Sequence, residues 1–214
     1  MSTAVHSPLA RAFFERPTVD VARDLIGAVL VRVLAGGERL TGAIVETEAY
    51  LTGDPAAHTF RGLTDRNRVM FGEAGHAYVY FTYGAHMMLN ASTREAGVGE
   101  GVLIRAIEPL EGVETMRVNR GDSLNRFQLT SGPGKLTKAL DIDRPRHNGV
   151  DLTSRTSPLQ IWPRIDAAWE IDATPRIGIS VGVDSPWRFV ARGNPYVSRT
   201  RPGPPSPKRR RSSP

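Results

Sequence analysis

The sequence contains no cysteine. Disulfides, thiolate nucleophiles, zinc fingers and iron–sulfur clusters are thereby excluded, and the lack of disulfides fits a reducing compartment. It has no run of eighteen apolar residues, so no transmembrane helix is expected. An apolar stretch of signal-peptide type is also missing near the N-terminus. Lysine is scarce: only Lys135, Lys138 and Lys208 stand among 28 basic residues. Acidic residues are missing from 199–214, where six of the basic residues lie, so the formal charge of +6 belongs to that tail and residues 1–198 carry none. The high isoelectric point is therefore no evidence for a basic face on the body. Arginine predominance suits bidentate phosphate contacts and a GC-rich coding sequence alike. Also absent are the HxH and HExxH metal spacings, the Walker loop and a G-x-G-x-x-G following a strand.

What is present is an ordinary globular composition, 40 % hydrophobic and 23 % charged, enough for one sizeable core. Residues 1–8 have no pattern and read as a flexible N-terminus. Residues 199–214, rich in Pro, Ser and Arg, read as a disordered basic tail. Residues 9–198 read as one domain without linker or repeat. Thr18 is a plausible N-cap for a short helix with Ala22, Leu25 and Ile26 inward. Strands are expected at Ala28–Val33, Thr41–Tyr50, His76–Thr82, Gly101–Ile107, Leu159–Trp162, Arg176–Val181 and Trp187–Ala191, with a turn at Gly36-Gly37 and a loop over 51–69. Pro109 is expected to open a helix carrying Leu110, Val113 and Met116, and Ser131-Gly132-Pro133 another, with Leu136, Ala139 and Leu140 inward. The pattern is a β-rich α+β domain, not alternating βαβ units.

Four groups of residues stand out chemically. In Glu46-Thr47-Glu48-Ala49-Tyr50, positions 46, 48 and 50 share one face of a strand. Two readings fit: a solvated face with Tyr50 at its edge, or a general base beside an aromatic platform. Glu46, Glu48, Asp54 and His58 can be drawn as a metal site, but their spacing gives no support. In Tyr78-Val79-Tyr80-Phe81-Thr82-Tyr83-Gly84, an aromatic strand ends in Tyr83 at a turn. That residue is poorly placed to pack a core and well placed to wedge between bases. Arg105 lies in an apolar strand and needs a partner, either a structural carboxylate or one in an active site. Ser131-Gly132-Pro133-Gly134-Lys135 could offer backbone N–H groups to an anion.

The order of these motifs, with Ala57-His58, Arg66-Asn67, Asn90 and Leu103–Pro109 interleaved, closely resembles the alkyladenine (3-methyladenine) DNA glycosylase family across roughly residues 9–198. The resemblance implies a single mixed α+β domain with a curved antiparallel β-sheet flanked by helices, like the C-terminal domain of methionyl-tRNA formyltransferase. It also implies removal of alkylated or deaminated purines from duplex DNA (3-methyladenine, 7-methylguanine, hypoxanthine, ethenoadenine). No metal or cofactor, no lyase activity and a monomer are expected. The location would be cytoplasmic and nucleoid-associated in a bacterium, or nuclear otherwise.

Residue by residue, Glu48 matches the base that activates water for attack on C1′, in an oxocarbenium-like reaction where a carboxylate also stabilises developing charge. Arg105 matches the arginine that holds this water and a nearby phosphate, and Ile177 stands where a backbone carbonyl contacts the water. Tyr50, His58 and Tyr80 match the pocket that sandwiches the flipped base. Asn90 matches the residue that crowds the 2-amino group of guanine. Tyr83 matches the inserted wedge, and Thr64, Arg66, Lys135 and Gly178 are phosphate contacts. The chain departs from the family at a one-residue shortening between His58 and Arg66, at Asp65 and at Ala85-His86, positions that bear on affinity and lesion preference. The basic tail is outside the pattern and is expected to add salt-sensitive nonspecific DNA affinity. Three other readings are a noncatalytic nucleic-acid binding module of the same fold, a bifunctional glycosylase using Lys135 as its amine, and a metal-dependent hydrolase.

Overall fold

A long strand, β2 (Arg39–Tyr50), organises the molecule, and all but its end residues are buried. The computed structural model describes residues 7–82, 84, 86–121, 124–164 and 169–198. The basic tail 199–214, and residues 1–6 of the N-terminal segment 1–8, lie outside these residues. The antiparallel sheet has the order β3 (Ala77–Thr82), β4 (His86–Ser92), β5 (Gly101–Glu111), β2, β1 (Val29–Val33), β6 (Leu159–Trp162). On one side β2 pairs with β5 along its length. On the other, β1 pairs with its first half up to Ala43, and β8 (Arg188–Ala191) pairs with Glu46–Glu48. β7 (Ile171–Thr174) extends the sheet beyond β8. This exchange of neighbours halfway along β2 curls the sheet and sets Glu46 and Glu48 between β5 and β8. The α+β class and curved antiparallel sheet expected from the sequence are what the chain adopts.

Helices cover the concave core. In α2 (Thr18–Asp24), Val21 and Ala22 are buried with Leu25 and Ile26 just beyond its end, against β2. There the hydroxyl of Thr47 donates to the Ala22 carbonyl at 2.7 Å. α1 (Arg11–Phe14) adds the buried Phe14. α3 (Val113–Arg120) contributes Met116, and α4 (Pro133–Ala139) lays Leu136 and Ala139 on β4 and β5, with Leu140 following. α5 (Arg144–His147) closes against β3. One apolar cluster joins these to Ile44, Val79, Leu89, Ile104 and Ile107.

The structure corrects the sequence reading at four places. Thr18 is the first helical residue and Pro17 the cap; the Thr18 hydroxyl is buried against that of Thr93, 2.7 Å away, so tertiary contact took the group that would have capped. Pro109 lies inside β5 opposite Gly42, where the register shifts, and the helix starts at Val113. Leu110 is consequently exposed. A strand expected at Arg176–Val181 is irregular chain, and β7 precedes it. β4 was not anticipated; its polar Asn90 and Ser92 masked the alternation.

The turn from β5 into α3 depends on Gly112, with φ +71°. A Cβ there would meet the Leu40 side chain and lie 2.7 Å from the Arg39 carbonyl oxygen. Gly112→Ala is expected to destabilise the protein by more than about 1 kcal/mol, because it combines left-handed strain with a clash. Urea midpoints with an unchanged m value check this; an unchanged midpoint would refute it.

Candidate active site

Glu46 and Glu48 emerge on the same face of β2, as the alternation requires, but neither has any exposed surface. The solvated-face reading is therefore excluded. Ile44 pairs with Ile107, Glu46 with Ala106 and Thr47 with Ile104, so the register shifts on both sides of Glu46 and Arg105 has no direct partner across the ladder. Irregularities of this kind re-aim side chains. Here Arg105 turns onto both carboxylates: its Nε donates to Glu46 Oε1 at 2.8 Å and its Nη1 to Glu48 Oε2 at 3.2 Å.

Glu46 is a hub for four protein donors. Besides Arg105, it accepts from Arg188 Nε, the Ser198 hydroxyl and the Ser198 backbone N–H, each at 2.8 Å. Burial alone would push this carboxyl up; the Arg105 and Arg188 guanidiniums and the Ser198 N–H outweigh burial and hold it below its ordinary value. Glu48 is held differently. Its Oε2 also accepts from the Tyr50 hydroxyl at 2.9 Å, and its Oε1 from the Ile177 backbone N–H at 2.9 Å. Burial, then the adjacent Glu48 carboxylate, push the Tyr50 phenol well above its ordinary range, so it is a neutral donor. Burial opposes the charge on Arg105, but Glu48 and Glu46 prevail and raise its pKa.

These three donors to Glu48 form part of the wall of a cavity of about 290 Å³. Its lining includes Tyr50, Ala57, His58, Met70, Tyr78, Tyr80, Met88, Asn90, Leu103, Arg105, Pro133, Ile177 and Gly178. The volume is at the low end of the roughly 300–1,000 Å³ usual for ligand sites, a size for one heterocycle. The His58 ring lies 4.3 Å from that of Tyr80, and Tyr78 and Tyr80 are 5.2 Å apart. Nδ1 of His58 is 3.1 Å from the Tyr78 hydroxyl. As a whole residue His58 is exposed. Its face toward the tyrosines is dehydrated, and that burial, followed by the charge of Arg66, lowers its pKa and keeps the ring neutral at neutral pH. The Asn90 amide donates to the Tyr78 carbonyl at 3.2 Å, which fixes its orientation at the cavity wall.

Of the residues singled out in the sequence, Tyr50, His58, Tyr80, Asn90, Arg105, Ile177 and Gly178 thus converge on one cavity, with Glu48 directly behind its wall. Arg66 is exposed at the rim, 5.7 Å over the Tyr80 ring, and donates to the Phe81 carbonyl. Thr64 and Lys135 do not line the cavity. Lys135, within 3.3 Å of the Ser131 hydroxyl, borders a separate cleft with His86. Asp65 is paired with Arg68 in solvent, where such a pair contributes little. Tyr83 and Ala85 lie outside the described residues. Asp54, drawn above as a metal candidate, is instead committed to the buried Arg176. Among the described residues no group of three or more metal-ligating side chains occurs.

Sequence reasoning missed Arg176 and Ser198. Both act across more than one hundred residues of chain, and neither carries a local signal. It also missed Tyr78 and Met88 as cavity walls, since both read as ordinary strand residues.

The family model described as methylpurine-DNA glycosylase (MPG) matches residues 12–195. A protein from Chlorobaculum tepidum is 45 % identical over 204 residues, which cover 95 % of this chain and 96 % of the relative. Proteins from Methanoculleus marisnigri and Carboxydothermus hydrogenoformans are 50 % and 48 % identical, each over 89 % of this chain and 98 % of the relative. All three bear the name "Putative 3-methyladenine DNA glycosylase". Across nearly its whole body, the chain belongs to the methylpurine-DNA glycosylase family, enzymes of the hydrolase class that act on DNA.

Proposed function

We propose that residues 9–198 form a monofunctional, monomeric purine glycosylase that takes alkylated or deaminated purines out of duplex DNA and hydrolyses their N-glycosidic bond. One observation carries the reading: a buried carboxylate, Glu48, sits directly behind the wall of an aromatic cavity sized for one heterocycle, and each of its three donors lines that cavity.

The chemistry follows from the acceptor count. A carboxylate has about four lone-pair positions. Tyr50 and Arg105 occupy Oε2 and Ile177 occupies one position on Oε1, leaving one on Oε1 for a water. That water gives its proton to Glu48 as its oxygen bonds to C1′. The C1′–N bond breaks, its electron pair leaves with the base, and an abasic sugar remains. The fixed carboxylate also stabilises the positive charge that develops on the sugar. Ile177 acts here through its N–H on Glu48; the water contact expected of its carbonyl remains part of the proposal.

A base can enter only after leaving the stack. Tyr50, His58 and Tyr80 then stack against it, and an electron-poor alkylated purine is favoured by aromatic faces. With its pKa lowered, His58 is a neutral ring that hydrogen-bonds without repelling a cationic base. Asn90, fixed on the Tyr78 carbonyl, crowds the position of a guanine 2-amino group. Arg66 at the rim, Gly178, Thr64 and Lys135 are the proposed phosphate contacts, and Tyr83 the wedge. Neither described lysine lines the cavity, which supports hydrolysis by water over attack by an amine.

The test is a duplex carrying a single hypoxanthine or ethenoadenine, incubated with the full chain in EDTA and then treated with hot alkali. Strand scission only after alkali is the expected result. Scission before alkali would establish lyase action, and inactivity restored by divalent metal would establish a metal-dependent hydrolase. Failure on both lesions and on methylated DNA would overturn the substrate assignment.

A further inference from the structure

We infer that Arg176, anchored on Asp54, is a positioning residue that holds Tyr50 and Ile177, two of the three hydrogen-bond donors to Glu48. The inference rests on Glu48 being the base.

Between residues 175 and 186 the chain is irregular, and Arg176 alone in that stretch is buried. Ile177, Gly178 and Ile179, immediately after it, line the base cavity. This wall of the cavity has no regular secondary structure to hold it, so its position depends on what Arg176 grips. The Arg176 guanidinium binds both Asp54 oxygens, through Nη1 to Oδ2 and through Nη2 to Oδ1 at 3.0 Å. The same two nitrogens also donate to the Ala49 carbonyl at 3.0 Å and the Gly182 carbonyl at 3.2 Å. One planar group thereby ties the end of β2, the loop after β2 and the interior of the irregular segment together.

Its flat faces do a second job. The guanidinium carbon lies 4.7 Å from the Tyr50 ring centroid and 5.1 Å from that of Trp187. Tyr50 is therefore stacked on Arg176 while its hydroxyl reaches Glu48. Ile177, covalently next to Arg176, presents its N–H to the other Glu48 oxygen. Both Tyr50 and Ile177 are thus set by Arg176. The third donor, Arg105, is set by the separate Glu46 hub. Burial works against the Arg176 charge, and the Asp54 carboxylate overrides it, raising its pKa, so the clamp stays ionised. Space around it is tight: a Cβ on Gly182 would lie 3.0 Å from Asp54 Oδ1 and 3.1 Å from Arg176 Nη2. A lysine keeps the charge and loses the planar fork and the stacking, so it cannot make these contacts together.

The experiment compares wild type, Arg176→Lys, Tyr50→Phe and their double variant, in single-turnover base release at saturating enzyme and in affinity for a lesion duplex. Misplacing a catalytic group by about 1 Å costs up to roughly 10²-fold in rate. Arg176→Lys is expected to slow release by about 10- to 100-fold and to change the dissociation constant less than about threefold. In the Tyr50→Phe background the same substitution is expected to cost clearly less, because part of what Arg176 orients is already gone. A fully additive double variant, a loss confined to affinity or to the folded fraction, or a wild-type rate would each overturn the inference. If Arg176→Lys does not fold, Gly182→Ala displaces the same clamp, and the same slowing is expected and the same outcomes decide. Glu48→Gln runs alongside. Full activity there defeats the assignment of Glu48 itself, whereas an inactive Glu48→Gln beside a fully active Arg176→Lys defeats the positioning role alone.

Discussion

Glu48→Gln is expected to slow single-turnover base release by roughly 10²- to 10⁴-fold, the usual contribution of a positioned general base. Affinity for a lesion duplex is expected to stay within a few-fold of wild type. The amide keeps the volume of the side chain and leaves the cavity walls in place, but it cannot take a proton from water. It also meets a local conflict. Tyr50, Arg105 and Ile177 all present donors to this side chain, so the new NH₂ group must face one of them. Arg105 keeps its bond to Glu46, so the buried guanidinium is not left unpaired. Rate constants under enzyme excess, with binding measured separately by fluorescence anisotropy, check the split. A wild-type rate would show that another group activates the water.

Glu46→Ala is expected to cost about 3–5 kcal/mol of stability, because removing one partner of a buried ion pair strands the other. Here it leaves the buried Arg188 without a carboxylate, with only the Thr174 hydroxyl and the Ser198 carbonyl to accept from it, and unpairs the Ser198 N–H and hydroxyl, while Arg105 is left with Glu48 alone. The pH dependence has a definite sign. The folded pKa of Glu46 lies below its ordinary 4.5. Its contribution is therefore present in full above that value and is lost as pH falls through the folded pKa. The milder variant Glu46→Gln is accordingly expected to be less stable than wild type near pH 7, with the gap closing as pH drops below about 4.5. Urea unfolding of both proteins at a series of pH values gives the comparison. A gap that is constant across pH would mean that Glu46 contributes through shape and not through charge.

Why these two carboxylates differ so much, though both sit on β2 two residues apart, is a question of neighbours. Glu46 faces β8 and the chain leading to Ser198, so four donors, all from the protein, converge on it. Glu48 lies behind the cavity wall, and its three donors line the cavity. From the sequence the pair could be drawn as a solvated face, a metal site or a base beside an aromatic, since strand alternation states only that the side chains are parallel. The aromatic strand 77–82 was similarly legible as a strand, while its stacking on His58 depended on how the loop over 51–69 folds back.

The sequence by itself determined the α+β class, most strands and the order of the motifs that resemble the glycosylase family. Those features rest on local alternation, on Gly and Pro at turns and on residue identity. It misread Pro109 as a helix start because a proline fits either a first helical turn or a strand where its partner has shifted register, and only the pairing with Gly42 decides. The tertiary structure alone decided which carboxylate is the hub of two arginines and Ser198 and which lies behind the cavity wall, through the register shifts beside Glu46 and the change of β2's neighbour from β1 to β8. It alone also brought Arg176 onto Asp54 and Ser198 onto Glu46, contacts separated by 122 and 152 residues. No local pattern encodes such contacts, because the free energy of pairing a buried charge is realised only once the sheet has closed around it.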